Sequence, residues 1–192
     1  MIREVILTTQ SALGRVHIAP MGVHVVGEEM RVMPFRPSAT LDNLLATGVA
    51  VMNYCDDVRI FAGCLTGRRD WPLAPAERVA GRRLAGALAH AELELVRHEA
   101  DDVRPKLYCR VVHEAMHAPF RGFNRAQFAV LEAAILVSRL RLLPREKIEA
   151  ELAYLFIGLE KTAGPAEREA WGWLMEKVSA FQTIAADAEP RP

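Results

Sequence analysis

The hydrophobic periodicity of this chain changes near Arg121, and that change limits the fold more than any single residue does. Ahead of it stand short runs of period two, "REVILTT", "RVHIAPMGVHVV", "MRVMPF", "VAVMNY", "GALAHAELELV" and "KLYCRVV", separated by Gly, Pro and Asp clusters. Alternation of this kind buries one face of each strand, so the first part predicts an antiparallel barrel. Behind Arg121 the apolar residues recur at spacings of three and four, which predicts helices. The expected class is therefore α+β, with a barrel domain over 1–120, a three-helix bundle over 121–186 and a loose tail over 187–192.

Local signals refine this division. One helix is expected inside the barrel half, in "SATLDNLLATG", which opens on cap-type hydroxyls and closes on Gly48. The stretch Leu84–Val96 predicts a strand, with Ala89, Ala91, Leu93 and Leu95 on one face and His90, Glu92 and Glu94 on the other. It pairs through the turn "EADDVRP" with the strand that starts at Lys106. In the second half, Asn124 caps a helix whose stripe is Phe128, Leu131, Ala134, Ile135 and Leu142, and which stops at Pro144. Two more helices start beside Pro144 and Pro165, each with an acidic residue in its first turn. Trp171 and Trp173 are too close in sequence to share one stripe, so one of them is expected to pack on the barrel or on a partner chain.

The chain has 192 residues, 51% of them hydrophobic and 25% charged, enough to bury one large core or two small ones. Lys+Arg and Asp+Glu balance at 24 each, which leaves no net field for a polyanion and no basic arm; nucleic acid is not an expected partner. No window approaches the roughly 18 apolar residues of a membrane span, and "MIREVILTTQ" is no secretory leader, so a cytoplasmic protein is expected. Cys55, Cys64 and Cys109 are odd in number and lack CxxC spacing; they are given no role.

Residues 113–117 read "HEAMH", a literal match to the zinc pattern HExxH. Two histidines spaced this way lie about 6 Å apart along a helix but about 13 Å apart along a strand. "KLYCRVV" ahead of them is strand-like and Pro119 follows, so no metal site is expected here or elsewhere. GxSxG, GxxxxGK[ST] and GxGxxG are all missing. His90 and His98 read as solvated, Asp56–Asp57 as a turn and helix cap, and no catalytic residue is identified.

Two features remain. "IAPMGV" (Ile18–Val23) interrupts a strand with Pro, Met and Gly, which marks either a bulge or a place where a ligand approaches the backbone. Shortly after it, Ser38, Thr40 and Asn43 begin the barrel-half helix with Arg36 beside them. Hydroxyls, an amide and free helix N–H groups form a natural phosphate cradle.

"AP" before a small turn, followed by a helix with T-x-x-N, resembles the flavin-reductase-like FMN-binding split barrels. "PFRGFNRAQFAVLEAAILVSRL" resembles the junction of an uncharacterised split-barrel family with a C-terminal helical domain, shared by methanogens and methylotrophs. The resemblance implies a split β-barrel that binds FMN near the interface of a homodimer, with a link to methanopterin-dependent one-carbon metabolism. It implies that Met21, Gly22 and Val23 face the isoalloxazine, that Ser38, Thr40 and Asn43 hold the phosphate and ribityl chain with Arg36, and that Asn124 and Arg125 contribute from the junction. His17 and Ala39 depart from the Asn and Asp that the wider superfamily favours, which weakens transfer of reductase activity more than of flavin binding. The expected function is an FMN-dependent oxidoreductase. The alternatives are an NAD(P)H-dependent flavin reductase and a non-catalytic flavin-binding module.

Overall fold

A computed structural model describes residues 1–188. The elements run β1 (Ile2–Gln10), β2 (Val16–Val26), β3 (Glu29–Val32), α1 (Ala39–Thr47), β4 (Val49–Tyr54), α2 (Val58–Thr66), β5 (Leu73–Pro75), β6 (Arg82–Leu84), β7 (Ala89–Glu99), β8 (Lys106–Met116), α3 (Arg125–Ser138), α4 (Arg145–Thr162) and α5 (Pro165–Ala188). Six antiparallel strands close a barrel in the order β1-β2-β3-β8-β7-β4, and β5 and β6 form a separate two-stranded ribbon. The α+β class expected from the periodicity is the observed one.

The chain forms two compact units, and the division is not a single cut at residue 120. Unit 1 comprises 1–56 and 70–120; unit 2 comprises 57–69 and 121 onward. The difference is α2, a second helix inside the barrel half that the sequence reading did not expect. Asp57 caps it by accepting from Arg59 N–H at 3.1 Å, and Gly67, with φ 90°, ends it in the left-handed region that glycine tolerates. α2 is only nine residues long, with Val58 and Ile60 to Cys64 buried; Val58 and Ala62 join the core of the helical unit. Of the loose tail expected over 187–192, residues 187 and 188 belong to α5, and 189–192 lie outside the described residues.

In unit 1 the core gathers Val5, Leu7, Val23, Leu44, Met52, Leu93 and Leu107, all fully buried, from strands of the barrel and from α1. The Leu84–Val96 expectation holds in outline: β6 ends at Leu84 and β7 begins at Ala89. Both faces of β7 are buried at its start, however, for Ala91 and Leu93 enter the core while His90 and Glu92 are also 0% exposed. His90 is therefore not the solvated residue the strand pattern suggested. At the turn between β7 and β8, the Asp101 side chain accepts from the N–H groups of Arg104 and Val103, and these bonds hold its carboxyl below the usual range.

Unit 2 packs α2, α3, α4 and α5 around Ala126, Ala129, Val130, Ala133, Leu159 and Leu174. Small alanines along one face of α3 let neighbouring helices approach closely. Trp171 sits in this core and Trp173 packs against it with the Arg68 guanidinium 4.6 Å from its ring centre. Both tryptophans thus belong to the helical unit. Among the described residues no helix is long and apolar enough to cross a membrane.

Candidate functional site

The interrupted strand comes first. Residues 16 to 24 of β2 pair with β1 without a break, from Gln10↔Val16 to Ile2↔His24, so "IAPMGV" contains no bulge. On its other side β2 meets β3 only at His24–Val26. Pro20 therefore lies in a stretch with no second strand neighbour, where a missing N–H removes no ladder bond on that side. Gly22 has a local explanation as well: a Cβ there would lie 3.2 Å from both Glu4 Oε1 and Ile2 Cγ2. The Glu4 and Ile2 side chains thus stand next to Gly22 on that side.

The helix start is built as expected at its rim and differently behind it. Ser38 caps α1 with extended backbone (φ −158°, ψ 146°), its Oγ accepting from Leu41 N–H at 3.3 Å, and Gly48 closes the helix in the left-handed region. The other first-turn N–H groups have no partner within the helix by its geometry. Arg36 is exposed two residues ahead of the cap, its N–H bonded to Val103 O at 2.9 Å across a loop whose Arg36–Pro37 peptide is cis. Thr40 and Asn43 are instead buried, at 2% and 8% exposure. Asn43 Nδ2 donates to Thr9 Oγ1 on β1 at 3.1 Å, so this side chain anchors α1 to the barrel. Asp42 already places one negative charge in the first turn.

Asn124 and Arg125 lie in unit 2. Asn124 is the α3 cap: Oδ1 accepts from Ala126 N–H (2.7 Å) and Gln127 N–H (3.3 Å), while Nδ2 donates to Thr162 O (3.1 Å). All three contacts are structural. Arg125 lines a groove of about 330 Å³ with Phe128, Ala129, Tyr154, Ile157 and Gly158.

The sequence reading missed a network of buried polar groups in unit 1. Asn53 on β4 donates through Nδ2 to Ile6 O (3.0 Å) and accepts Leu84 N–H at Oδ1 (2.7 Å), tying the β6 segment to the barrel. Glu92 on β7 accepts the N–H groups of Glu77 (2.6 Å), Arg78 (2.7 Å) and Val79 (2.7 Å), and its Oε1 lies 3.1 Å from His90 Nε2. Burial alone would raise this carboxyl's pKa, but those donors outweigh it and hold it at about 2, so Glu92 is ionised. His90 Nδ1 is 2.8 Å from Nε2 of the exposed His117. The two rings are inclined by only 8° with centres 5.0 Å apart, and with so short a nitrogen contact they meet end to end. Residues His113–Met116 of "HEAMH" lie on β8, as the strand-like run before them predicted, so the helical zinc motif is absent.

These features define a closed six-stranded antiparallel barrel unit and a helical unit in one chain. The chain belongs to the DUF447 family of proteins of unknown function: the model of its N-terminal domain matches residues 3–118 and its second model residues 124–176. The fold is similar to that of the FMN-bound DUF447 protein MM1853 from Methanosarcina mazei, at TM-score 0.78 and 22% identity, covering 92% of this chain and 94% of that one. It is also similar to the 2-nitrobenzoate 2-nitroreductase NbaA of Pseudomonas fluorescens (TM-score 0.53, 16% identity, 59% of this chain and 64% of that one). A third similar structure is a putative flavin reductase from Haemophilus somnus (TM-score 0.52, 15% identity, 61% and 82%). No curated protein sequence matches significantly.

Proposed function

We propose that this protein binds FMN and works as an oxidoreductase. The observation that carries the reading is the shared fold with an FMN-bound member of the same family over 92% of the chain. The residues present fit the cofactor's phosphate: Ser38, the first-turn amides of α1 and the exposed Arg36 guanidinium combine hydrogen-bond donors with positive charge, and Arg36 offsets the repulsion that Asp42 would exert. Thr40 and Asn43 act behind this rim, fixing α1 against β1. Met21, Gly22 and Val23 present backbone along the thinly paired part of β2, which suits the edge of a flat ring better than close approach over Gly22. FMN would supply the electron chemistry, and the chain's part is to bind, orient and exclude water. A contribution of Asn124 and Arg125 to flavin binding is tested by the flavin affinity of Asn124→Ser and Arg125→Ala.

Purified protein should retain flavin absorption bands after excess FMN is removed. If Arg36 and Ser38 hold the phosphate, Arg36→Ala and Ser38→Ala should erase the preference for FMN over riboflavin while leaving riboflavin affinity unchanged. An unchanged preference would remove the phosphate from α1, and a colourless protein would remove the cofactor altogether.

A homodimer with FMN near its interface is tested by sedimentation of loaded and empty protein. Reduction of a pterin-type one-carbon intermediate fails if the reduced protein transfers electrons to no such substrate. The second reading, an NAD(P)H-dependent flavin reductase, gains support from the Haemophilus somnus neighbour; FMN that exchanges on every turnover would favour it over a tightly held cofactor.

A further inference from the structure

We propose that His90, His113 and Glu77 form a binding site for one divalent first-row transition ion of zinc type. The three residues come from β7, β8 and the segment between β5 and β6, and each offers one ligand atom within 4.8 Å of the other two. In a tetrahedral zinc site with bonds of about 2.0–2.1 Å, ligand atoms stand about 3.3 Å apart. His113 Nε2 and Glu77 Oε2 are already at 3.2 Å. The remaining closure is about 1.5 Å at most for any pair, to be shared by the Glu77 side chain, which is 54% exposed, and the half-buried His113 ring.

His113 gives the second, independent observation. Its Nε2 is buried yet makes no hydrogen bond, although the Glu77 carboxylate is close by. A nitrogen and a carboxylate oxygen at contact distance without a directed hydrogen bond are arranged as two ligands are around a common ion. The ion-pair contact with Glu77 is what this nitrogen has, and an ion between the two would bind both.

His90 is prepared from both sides. A neutral imidazole carries one proton, so one of its ring nitrogens always has a lone pair to give. Each ring nitrogen of His90 already has a partner, the Glu92 carboxylate at Nε2 and His117 at Nδ1, so the nitrogen that takes the ion releases its partner while the other keeps its proton held. Such outer partners fix the tautomer and orientation of metal-bound histidines. Glu92 also grips the backbone of Glu77, Arg78 and Val79, so the carboxylate that orients His90 positions the segment carrying the third ligand. Two imidazoles and one carboxylate suit zinc, cobalt(II) or iron(II) and disfavour magnesium and calcium, which take oxygen ligands. Three protein ligands leave a fourth position for water or substrate. This site uses the first histidine of "HEAMH" with a partner from the neighbouring strand, in place of the helical pair that motif implies, and it revises the expectation that the chain binds no metal. It does not depend on the flavin reading.

The test uses untagged full-length protein, stripped with a chelator and titrated with Co²⁺ by visible spectroscopy and with Zn²⁺ by calorimetry, with Mg²⁺ as a control. Expected are one Co²⁺ or Zn²⁺ per chain, a higher Tm with Zn²⁺, and no response to Mg²⁺. Glu77→Gln and His113→Ala, which alter no fully buried side chain, should each weaken Zn²⁺ binding at least about tenfold. No binding, an equal response to Mg²⁺, or affinity unchanged in both variants would overturn the proposal. Flavin content measured on the same samples keeps a failure of the cofactor reading separate.

Discussion

The two units of this chain hold themselves together by different means. The core of the helical unit is assembled from Val, Ala, Leu, Ile and Trp side chains. The barrel unit contains every buried polar residue found among the described residues: Thr8, Thr9, Thr40, Asn43, Asn53, His90 and Glu92. Apolar burial is non-directional and tolerates repacking, whereas a buried polar group stabilises only with its partners in place. The barrel therefore specifies its loops by named donor–acceptor pairs, and the helical unit specifies its packing by volume.

Four substitutions probe that contrast. Glu92→Ala removes the acceptor for three backbone N–H groups and a buried partner of His90, and should cost about 3–5 kcal/mol in chemical denaturation, in line with breaking a buried charged pair. A loss under about 1 kcal/mol would mean that water replaces the carboxylate without penalty. Leu174→Ala, at a fully buried position of α5, should cost about 2–4 kcal/mol, the range set by transfer plus cavity terms. Asn53→Ala leaves Leu84 N–H buried and unpaired and should cost about 1–3 kcal/mol. In flavin-free protein, Ser38→Ala removes a helix cap and should cost about 1 kcal/mol.

The cysteines sharpen the comparison without any mutation. Burial pushes the Cys64 thiol, in the helical unit, up to about 11, against a smaller opposing pull from Arg69. Burial, with Glu29 adding to it, pushes Cys109 in the barrel up to about 12. Neither should form thiolate at pH 8 while its unit is closed. Pulsed alkylation at pH 8 in rising urea should therefore label each cysteine only when its own unit opens. Simultaneous labelling would show that the units unfold together, and early labelling of Cys64 would show that the helical unit yields first.

Much of the fold could be read from the chain because periodicity is a local property. The six barrel strands, the Ser38–Gly48 helix and the helices after Asn124 each announce themselves within a dozen residues, whereas the short ribbon strands β5 and β6 do not. The helix Val58–Thr66 did not, since it is short and its partners α3 and α5 lie far along the chain. The candidate site was legible only in part. Ser38 shows its capping role in sequence, but nothing local reveals that Asn43 turns toward Thr9, or that Gly22 is crowded by Glu4 and Ile2. His90 and Glu92 alternate like solvent-facing residues, and only the segment 77–79 folding over them makes that face an interior. A pair of acidic and basic residues on an apolar strand opposite a histidine-bearing strand is the one signal that could have pointed there.

The excursion of α2 bears on how the protein is made. Ribosomes release this chain from the N-terminus, so Val58 and Ala62 emerge long before the residues that will cover them. The nascent barrel must carry an apolar helix with nothing to bind until α3 and α5 have been synthesised. That interval is the stage at which a chaperone would be needed most. It also means that cutting the gene after residue 120 would give a barrel with an orphaned sticky segment and a bundle lacking one of its members.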